Sequence, residues 1–293
     1  MTSYNFDWVD AFSDRAFGGN GCAVVHDGAG LADDVCMGFV RETSLVECTF
    51  TGPSDIADVK VRYFLASREI PFAGHPTIAT VTALRSRGLF RGDRIVLETG
   101  AGLIPVTVTA DGQFEMTQVA PEFGQSSDPA LVAAAVGLEV DDIISPPQFV
   151  STGLPFCITV LRDHDALRRA SVDVLALERL AKAGGYSGSD MAEPFLVTLQ
   201  GATEAGQTFS RLLLAPPSPP EDPFTGSATG AMASYLWHNG LMQQDSFVAE
   251  QGHWMGRPGQ ARVTRVGSAD QIEGVRVTGA GFVLMSGDVN LPG

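Results

Sequence analysis

Positive charge, long apolar runs and paired cysteines are scarce in this sequence, and each shortage excludes a class of protein. Lys and Arg number 19 against 34 Asp and Glu, so the formal net charge is −15. A protein that binds a phosphate backbone needs a basic surface, and we therefore expect no nucleic-acid partner. No apolar run approaches the roughly 20 residues that cross a bilayer, so we also expect no membrane partner.

Motifs for metal, nucleotide and thiol chemistry are also missing. The sequence has no H-E-x-x-H, no G-x-S-x-G, no P-loop lysine and no clustered metal ligands. Gly18–Gly21 does not match the G-x-G-x-x-G pattern of dinucleotide binding. Because all of these motifs are missing, we expect neither a metal nor a cofactor. The beginning of the chain lacks the basic and apolar regions of a secretory signal. Four cysteines without C-x-x-C spacing are typical of free thiols in the cytoplasm: Cys22, Cys36, Cys48 and Cys157.

The sequence contains an internal repeat with an offset of 152 residues. Residues 71–100 align without a gap on residues 223–252, and 12 of 30 positions are identical, where chance gives about two. Each copy reads as a Pro-Phe-x-Gly turn, an apolar helix of about 12 residues, a glycine stop at Gly88 or Gly240, and a strand. The repeat predicts two similar halves, with one helix N-terminus from each half pointing into the cleft between them.

The remaining patterns predict a mixed α+β fold. Alternating apolar residues predict strands near residues 4–12, 59–65, 103–109, 156–161, 194–200, 208–214 and 274–279. Residues 32–43 and 127–138 predict helices, the second with Ser127 or Asp128 as N-cap and Pro129 at its first position. Strands and helices do not alternate strictly, which argues against a doubly wound sheet.

The duplicated glycine-rich helix starts are candidate anion sites. The first turn of a helix presents unpaired N–H groups and the positive end of its dipole, so the two starts together could hold a substrate carboxylate. Ordinary capping by Thr77, Ser227 and Thr229 explains one such turn, but it does not explain the duplicated sequence.

Three side chains are candidates for proton chemistry, and each also has a structural interpretation. His75 lies in the first helix start, where a donor or proton shuttle and a structural histidine are about equally expected. Asp222 precedes the second helix start and is either a turn cap or an acceptor for a substrate amine or hydroxyl. Glu47 is flanked by apolar or small residues. It is either a partly desolvated acid/base or, as the residues alone favour, a carboxylate on the wet face of a strand.

The sequence resembles the PhzF-type phenazine-biosynthesis proteins over nearly its whole length. The resemblance rests on six segments: DAFSDRAFGGNGCAVV, SLVECTF, REIPFAGHPT, ETGAG, EDPFTGSATGAMASYLW and MGRPGQARV. It implies a diaminopimelate-epimerase-like fold of two pseudo-symmetric halves, each a curved sheet around a central helix, with the active site between them. The halves expected are residues 1–125, rejoined by 279–293, and residues 126–278. The resemblance also implies a homodimer.

The same resemblance implies roles for individual residues. Glu47 corresponds to the acid/base that moves a proton, and His75 and Asp222 line the substrate site. Substrate-binding positions are implied in both halves: Asn20, Ser44, Gly74, Thr225, Gly226 and Ser227. Related epimerases and racemases use two cysteines at the helix starts, where this sequence has Ala73 and Thr225. We therefore expect a cofactor-independent isomerase that moves a proton within a small carboxylate. A non-catalytic binding protein is the alternative, and an amino-acid epimerase is less favoured.

Overall fold

The repeat found in the sequence is present in the backbone. The computed structural model describes residues 1–186, 193–216 and 218–292, so residues 187–192, 217 and 293 of the two predicted halves lie outside it. Helices occupy Gly74–Ser86 and Gly226–His238, each 13 residues long and separated by the offset of 152. The strands that follow, Arg94–Thr99 and Ser246–Gln251, keep the same offset.

Strands and helices are numbered in chain order. The strands are β1 Thr2–Ala11, β2 Asn20–Val25, β3 Cys48–Gly52, β4 Val59–Phe64, β5 Glu69–Ile70, β6 Arg94–Thr99, β7 Gly102–Val108, β8 Phe114–Gln118, β9 Glu122–Ser126, β10 Gln148–Ser151, β11 Pro155–Val160, β12 Pro194–Thr198, β13 Thr208–Leu213, β14 Glu221–Asp222, β15 Ser246–Gln251, β16 Gly259–Gly267, β17 Ile272–Gly279 and β18 Gly281–Leu291. The helices are α1 Asp33–Thr43, α2 Gly74–Ser86, α3 Pro129–Val136, α4 His164–Arg169, α5 Val174–Ala183 and α6 Gly226–His238.

Unit 1 comprises Met1–Thr117, Gly256–Gly259 and Thr278–Gly293. In its sheet β1 pairs antiparallel with β2 and β18, β2 runs parallel to β3, β3 antiparallel to β4, and β4 parallel to β6. Helix α2 packs on β1, β2 and β18, and its residues from Gly74 to Leu84 are all buried. Its buried threonines, Thr77, Thr80 and Thr82, each donate to the carbonyl four residues earlier in the chain, so a helix buried on every side carries these hydroxyls without leaving them unsatisfied.

Unit 2 comprises Gln118–Met255 and Gln260–Val277 and has the same order of pairings. Strand β10 pairs antiparallel with β9 and β11, β11 runs parallel to β12, β12 antiparallel to β13, and β13 parallel to β15. Helix α6 packs on β10, β11 and β12 and is buried from Gly226 to Trp237. The predicted α+β class, with a central helix in each half, is confirmed. The predicted boundaries of the halves stay a prediction.

Local signals in the sequence explain where the helices begin and end. The Asp128 carboxylate accepts the Ala130 N–H at 2.9 Å, and Pro129 opens α3, as predicted. Gly88 and Gly240 follow the two repeated helices with φ values of 70° and 67°. This left-handed conformation favours glycine, which is why both copies stop at the same point. Across the described ranges, no helix combines the length and the apolar character that crossing a bilayer requires.

Candidate active site

A carboxylate and an imidazole lie close together in unit 1. Glu47 stands in the short connection between α1 and β3, directly before Cys48. Its Oε2 atom is 3.6 Å from Nδ1 of His75, the second residue of α2, and its side chain is 15% exposed. Glu47 is therefore mostly buried and lies outside the strand. The connection begins at Ser44, whose backbone has a φ of 55° and whose side chain is exposed.

The imidazole of His75 is neutral, and its proton lies on Nε2. The side-chain Nδ2 of Asn20, a hydrogen-bond donor, is 3.1 Å from Nδ1 of His75, so Nδ1 accepts and the proton occupies Nε2. Burial lowers the pKa of His75 to about 3, with a further contribution from the positive charge of Arg257. The contact with Glu47 is thus made to a neutral ring. Within the described residues, Nε2 is buried without a hydrogen-bond partner.

Asp222 and Thr225 are linked in unit 2. Asp222 is the last residue of β14, and Thr225 is the N-cap of α6. The Thr225 hydroxyl donates to the Asp222 carboxylate, and both side chains are buried. This contact is local, as the turn-cap interpretation of Asp222 requires. The substrate-binding role of Asp222 stays a prediction.

Gln251, at the end of β15, fixes the turn that contains Asp222 and Thr225. Its Oε1 accepts the Thr225 N–H at 3.0 Å, and its Nε2 donates to the Asp222 carbonyl at 2.7 Å. The same Nε2 lies 3.2 Å from the Thr225 hydroxyl oxygen. Because Gln251 donates to this hydroxyl, the hydroxyl proton is left to point at the carboxylate. Gln251 was not among the site residues predicted from the sequence, although position 251 departs from the repeat, where its equivalent is Thr99.

Both helix starts are buried and built alike. Neither N-cap residue, Ala73 or Thr225, accepts a hydrogen bond from its own helix through its side chain. The starts at Gly74 and Gly226 thus retain the N–H groups that could serve an anion. In unit 2 the side chain of Gln118 anchors the α6 start, because its Nε2 donates to the Gly226 carbonyl at 2.9 Å.

The cysteines do not occupy the helix starts. All four thiols are free and buried, at Cys22 on β2, Cys36 on α1, Cys48 on β3 and Cys157 on β11. Burial raises the pKa of Cys36, Cys48 and Cys157 to about 12 and that of Cys22 well above its ordinary value. Such thiols stay protonated near neutral pH and are poor bases.

The structure groups the predicted site residues by unit. Asn20, Glu47, His75 and Gly74 come together in unit 1, and Asp222, Thr225, Gly226 and Ser227 lie along one turn in unit 2. Ser44 is the exception, because it caps α1 with an exposed side chain. Whether the two groups share one substrate stays a prediction.

Known proteins resemble this chain over nearly its full length. Residues 9–287 match the family described as PhzC-PhzF, phenazine biosynthesis-like protein. An uncharacterized isomerase, YddE, of Escherichia coli O157:H7 is 31% identical over 289 residues, covering 94% of this chain and 95% of the relative. Trans-2,3-dihydro-3-hydroxyanthranilate isomerase of Pseudomonas aeruginosa is 29% identical over 293 residues, covering 95% and 96%. A solved PhzF-family structure from Bacillus anthracis has a TM-score of 0.86 at 25% identity, covering 99% and 100%.

The duplicated α+β fold and the isomerase relatives define the class of protein, and this chain is an isomerase. It belongs to the phenazine biosynthesis-like PhzC-PhzF family, which the sequence motifs had indicated.

Proposed function

We propose that this isomerase moves a proton between two carbon atoms of a small carboxylate substrate, without a cofactor, and that Glu47 is the general acid/base. The observation that carries the proposal is the 3.6 Å contact between the Glu47 carboxylate and the His75 ring, both largely buried. A shielded carboxylate beside a fixed, neutral imidazole is an arrangement that general acid/base catalysis uses.

The chemistry requires one carboxylate. Glu47 takes a proton from a substrate carbon and becomes a carboxylic acid, and the electron pair of the broken C–H bond moves into the conjugated system. Glu47 then returns the proton to another carbon, so the protein ends in its starting state. The buried thiols with raised pKa values support a carboxylate base rather than a thiol pair.

His75 would stabilise the negative charge that develops while the proton is on Glu47. A neutral imidazole with its proton on Nε2 is a hydrogen-bond donor, and it can donate without being consumed as an acid. The low pKa of His75, about 3, supports this role rather than proton transfer by an imidazolium. Asn20 would hold the ring in this tautomer through its contact with Nδ1.

The helix starts and Asp222 would bind the substrate. Backbone N–H groups at Gly74, Gly226 and Ser227 suit a carboxylate, because a helix N-terminus stabilises negative charge. The Asp222 carboxylate, oriented by Thr225, suits an amine or hydroxyl of the substrate. A homodimer remains a prediction from the family resemblance, and a cytoplasmic location remains a prediction from the unpaired cysteines.

Proton exchange with solvent tests the proposal directly. The protein is incubated in deuterated water with trans-2,3-dihydro-3-hydroxyanthranilate, the compound in the name of the Pseudomonas relative, and with other small unsaturated carboxylates. Deuterium incorporation is followed by NMR. We expect incorporation into at least one compound and a loss of about 1,000-fold or more in Glu47→Gln.

Glu42→Gln is the matched control, because Glu42 is exposed on α1 only five positions away. It is expected to retain the full rate. Equal rates in Glu47→Gln and the wild type would refute the role of Glu47, while incorporation at a single carbon with inversion of its configuration would favour the epimerase alternative.

A further inference from the structure

A short segment distant in sequence contributes an arginine to unit 1. Gly256–Gly259 belongs to unit 1, although the residues on both sides of it belong to unit 2. The segment lies within the MGRPGQARV motif, for which the sequence predicted no role. Its Arg257 side chain is the centre of a hydrogen-bond network that ends one residue before Asn20.

The guanidinium of Arg257 donates hydrogen bonds to two consecutive carbonyls. Its Nε donates to the Gly19 carbonyl at 2.9 Å, and its Nη2 donates to the Gly18 carbonyl at 2.9 Å. The same Nη2 forms an ion pair of 2.7 Å with Asp10, a carboxylate that is fully buried. The planar guanidinium makes these three contacts in one fixed geometry, which a lysine ammonium does not reproduce.

Close contacts with neighbouring backbone require glycine at both of these positions. A Cβ atom on Gly18 would lie 2.7 Å from the Pro258 carbonyl oxygen, and one on Gly19 would lie 1.9 Å from the Ala11 carbonyl oxygen. Gly19 also has a φ of 52°, and its N–H donates to the Pro258 carbonyl at 3.0 Å. The backbone before Asn20 is therefore held on its N–H side and on its carbonyl side.

We propose that Arg257 is a positioning residue of the isomerase site, whose guanidinium fixes Gly18 and Gly19 and thereby the Asn20 amide that holds His75 as its Nε2–H tautomer. The chain of contacts runs from Arg257 through two backbone carbonyls to Asn20 and then to Nδ1 of His75 at 3.1 Å. Its effect on turnover rests on the proposed function, whereas its effect on the His75 ring does not.

The positive charge of Arg257 acts in the same direction. Burial is the main cause of the lowered pKa of His75, and the charge of Arg257 adds to it, so the ring remains a neutral donor rather than becoming a cation beside Glu47. Among the described residues, Glu47 contacts Nδ1 of the ring, and Arg257 acts on the ring through its charge. The guanidinium fork should matter in addition to this charge, because only the fork holds both carbonyls.

The test compares Arg257→Gln and Arg257→Lys with the wild type. Nitrogen NMR of protein labelled in histidine reports the tautomer of His75 at neutral pH, and deuterium exchange reports turnover. We expect a single Nε2–H tautomer in the wild type and a mixture of tautomers in both variants. We also expect turnover to fall on the order of 10- to 100-fold, because small displacements in an active site have effects of this size.

Arg62→Gln is the matched control. Arg62 also donates to two loop carbonyls, those of Ala29 and Leu31, and pairs with carboxylates, but it makes these contacts away from Asn20. This control should keep the wild-type tautomer and, within about twofold, the wild-type rate.

Three results would overturn the proposal: a wild-type ring protonated on Nδ1, a single Nε2–H tautomer in both Arg257 variants, or wild-type behaviour of Arg257→Lys. Thermal melting identifies a variant that fails to fold, and Arg257→Lys then carries the test. If the wild type turns over no compound, the proposed function fails, but the tautomer measurement still decides the role of Arg257.

Discussion

Acid should destabilise the folded protein through His75, and a single substitution should remove that effect. The folded ring has a pKa of about 3, whereas an unfolded histidine has a pKa of 6.5. Between these values the unfolded chain binds a proton that the folded chain does not bind. Stability from this group is therefore fully present above about pH 6.5 and decreases as the pH falls towards 3.

The size of the effect follows from the two pKa values. At pH 5 the unfolded histidine is almost fully protonated and the folded one almost fully neutral. Linkage then lowers the free energy of unfolding by about 2 kcal/mol relative to pH 8, with a slope near pH 5 of about 1.3 kcal/mol per pH unit. His75 is 4% exposed, so solvent does not reduce this contribution appreciably.

Urea unfolding at pH 5, 6, 7 and 8, followed by tryptophan fluorescence, measures the effect in the wild type and in His75→Asn. The wild type should lose about 2 kcal/mol more than the variant between pH 8 and pH 5. His238→Asn, which removes an exposed histidine, should keep the wild-type difference. Parallel pH profiles for the wild type and His75→Asn would refute the assignment of a neutral, buried His75.

Three further substitutions can be measured by the same unfolding experiment: the first two concern packing, and the third concerns a buried charge. Gly230→Ala should cost about 1–3 kcal/mol, because its Cβ would lie 1.8 Å from Oε1 of Gln118 and displace a side chain that anchors α6. Gly38→Ala in α1, where the new Cβ would lie 3.8 Å from Nη2 of Arg41, should instead add about 0.5–1 kcal/mol, and equal effects at the two glycines would contradict this reasoning. Asp7→Asn should cost about 3 kcal/mol at pH 7, since Asp7 is buried and accepts from Arg87, His26 and Ser286. These hydrogen bonds outweigh burial and hold the pKa of Asp7 below its ordinary value, so the difference from the wild type should shrink below about pH 4, and a cost that does not change with pH would contradict the role of the charge.

Local signals account for the parts of the fold that the sequence predicts well. The helix predicted over residues 32–43 occupies Asp33–Thr43, and the strand predicted over residues 59–65 occupies Val59–Phe64. Caps, glycine stops and apolar periodicity act over a few residues, so a single sequence contains them in full. The repeat adds a second copy of each signal around α2 and α6, which explains why those boundaries agree so closely.

Contacts between segments that are distant in the chain could not be predicted from the sequence. Arg257 reaches carbonyls 238 and 239 positions away, and no periodicity or cap encodes such a contact. The sequence also did not decide whether Glu47 is buried, because the alternation of residues 44–50 allowed Glu47 to lie on the solvent-exposed face of a strand. The structure instead places Glu47 before β3, in contact with a ring 28 positions later in the chain. These features depend on how β2, β3 and α2 pack, which is a tertiary property.

The repeat itself separates structural residues from candidates for chemistry. Positions that keep the same role in both copies build the helix: Thr77 donates to the Ala73 carbonyl at 2.7 Å, and its equivalent Thr229 donates to the Thr225 carbonyl at 2.8 Å. Selection on the scaffold alone would preserve such pairs.

Four pairs of positions that differ between the copies hold residues of the candidate site. These pairs, 152 residues apart, are Ile70 and Asp222, Ala73 and Thr225, His75 and Ser227, and Thr99 and Gln251. Each pair occupies equivalent positions of two copies that share one order of elements, so the side chain that one copy uses has no identical counterpart in the other. Each of these pairs contributes a side chain to the Asp222–Thr225–Gln251 network, to the α6 start or to the Glu47–His75 contact. These differences between the two copies thus indicate the residues at which the proposed proton transfer and substrate binding should be tested first.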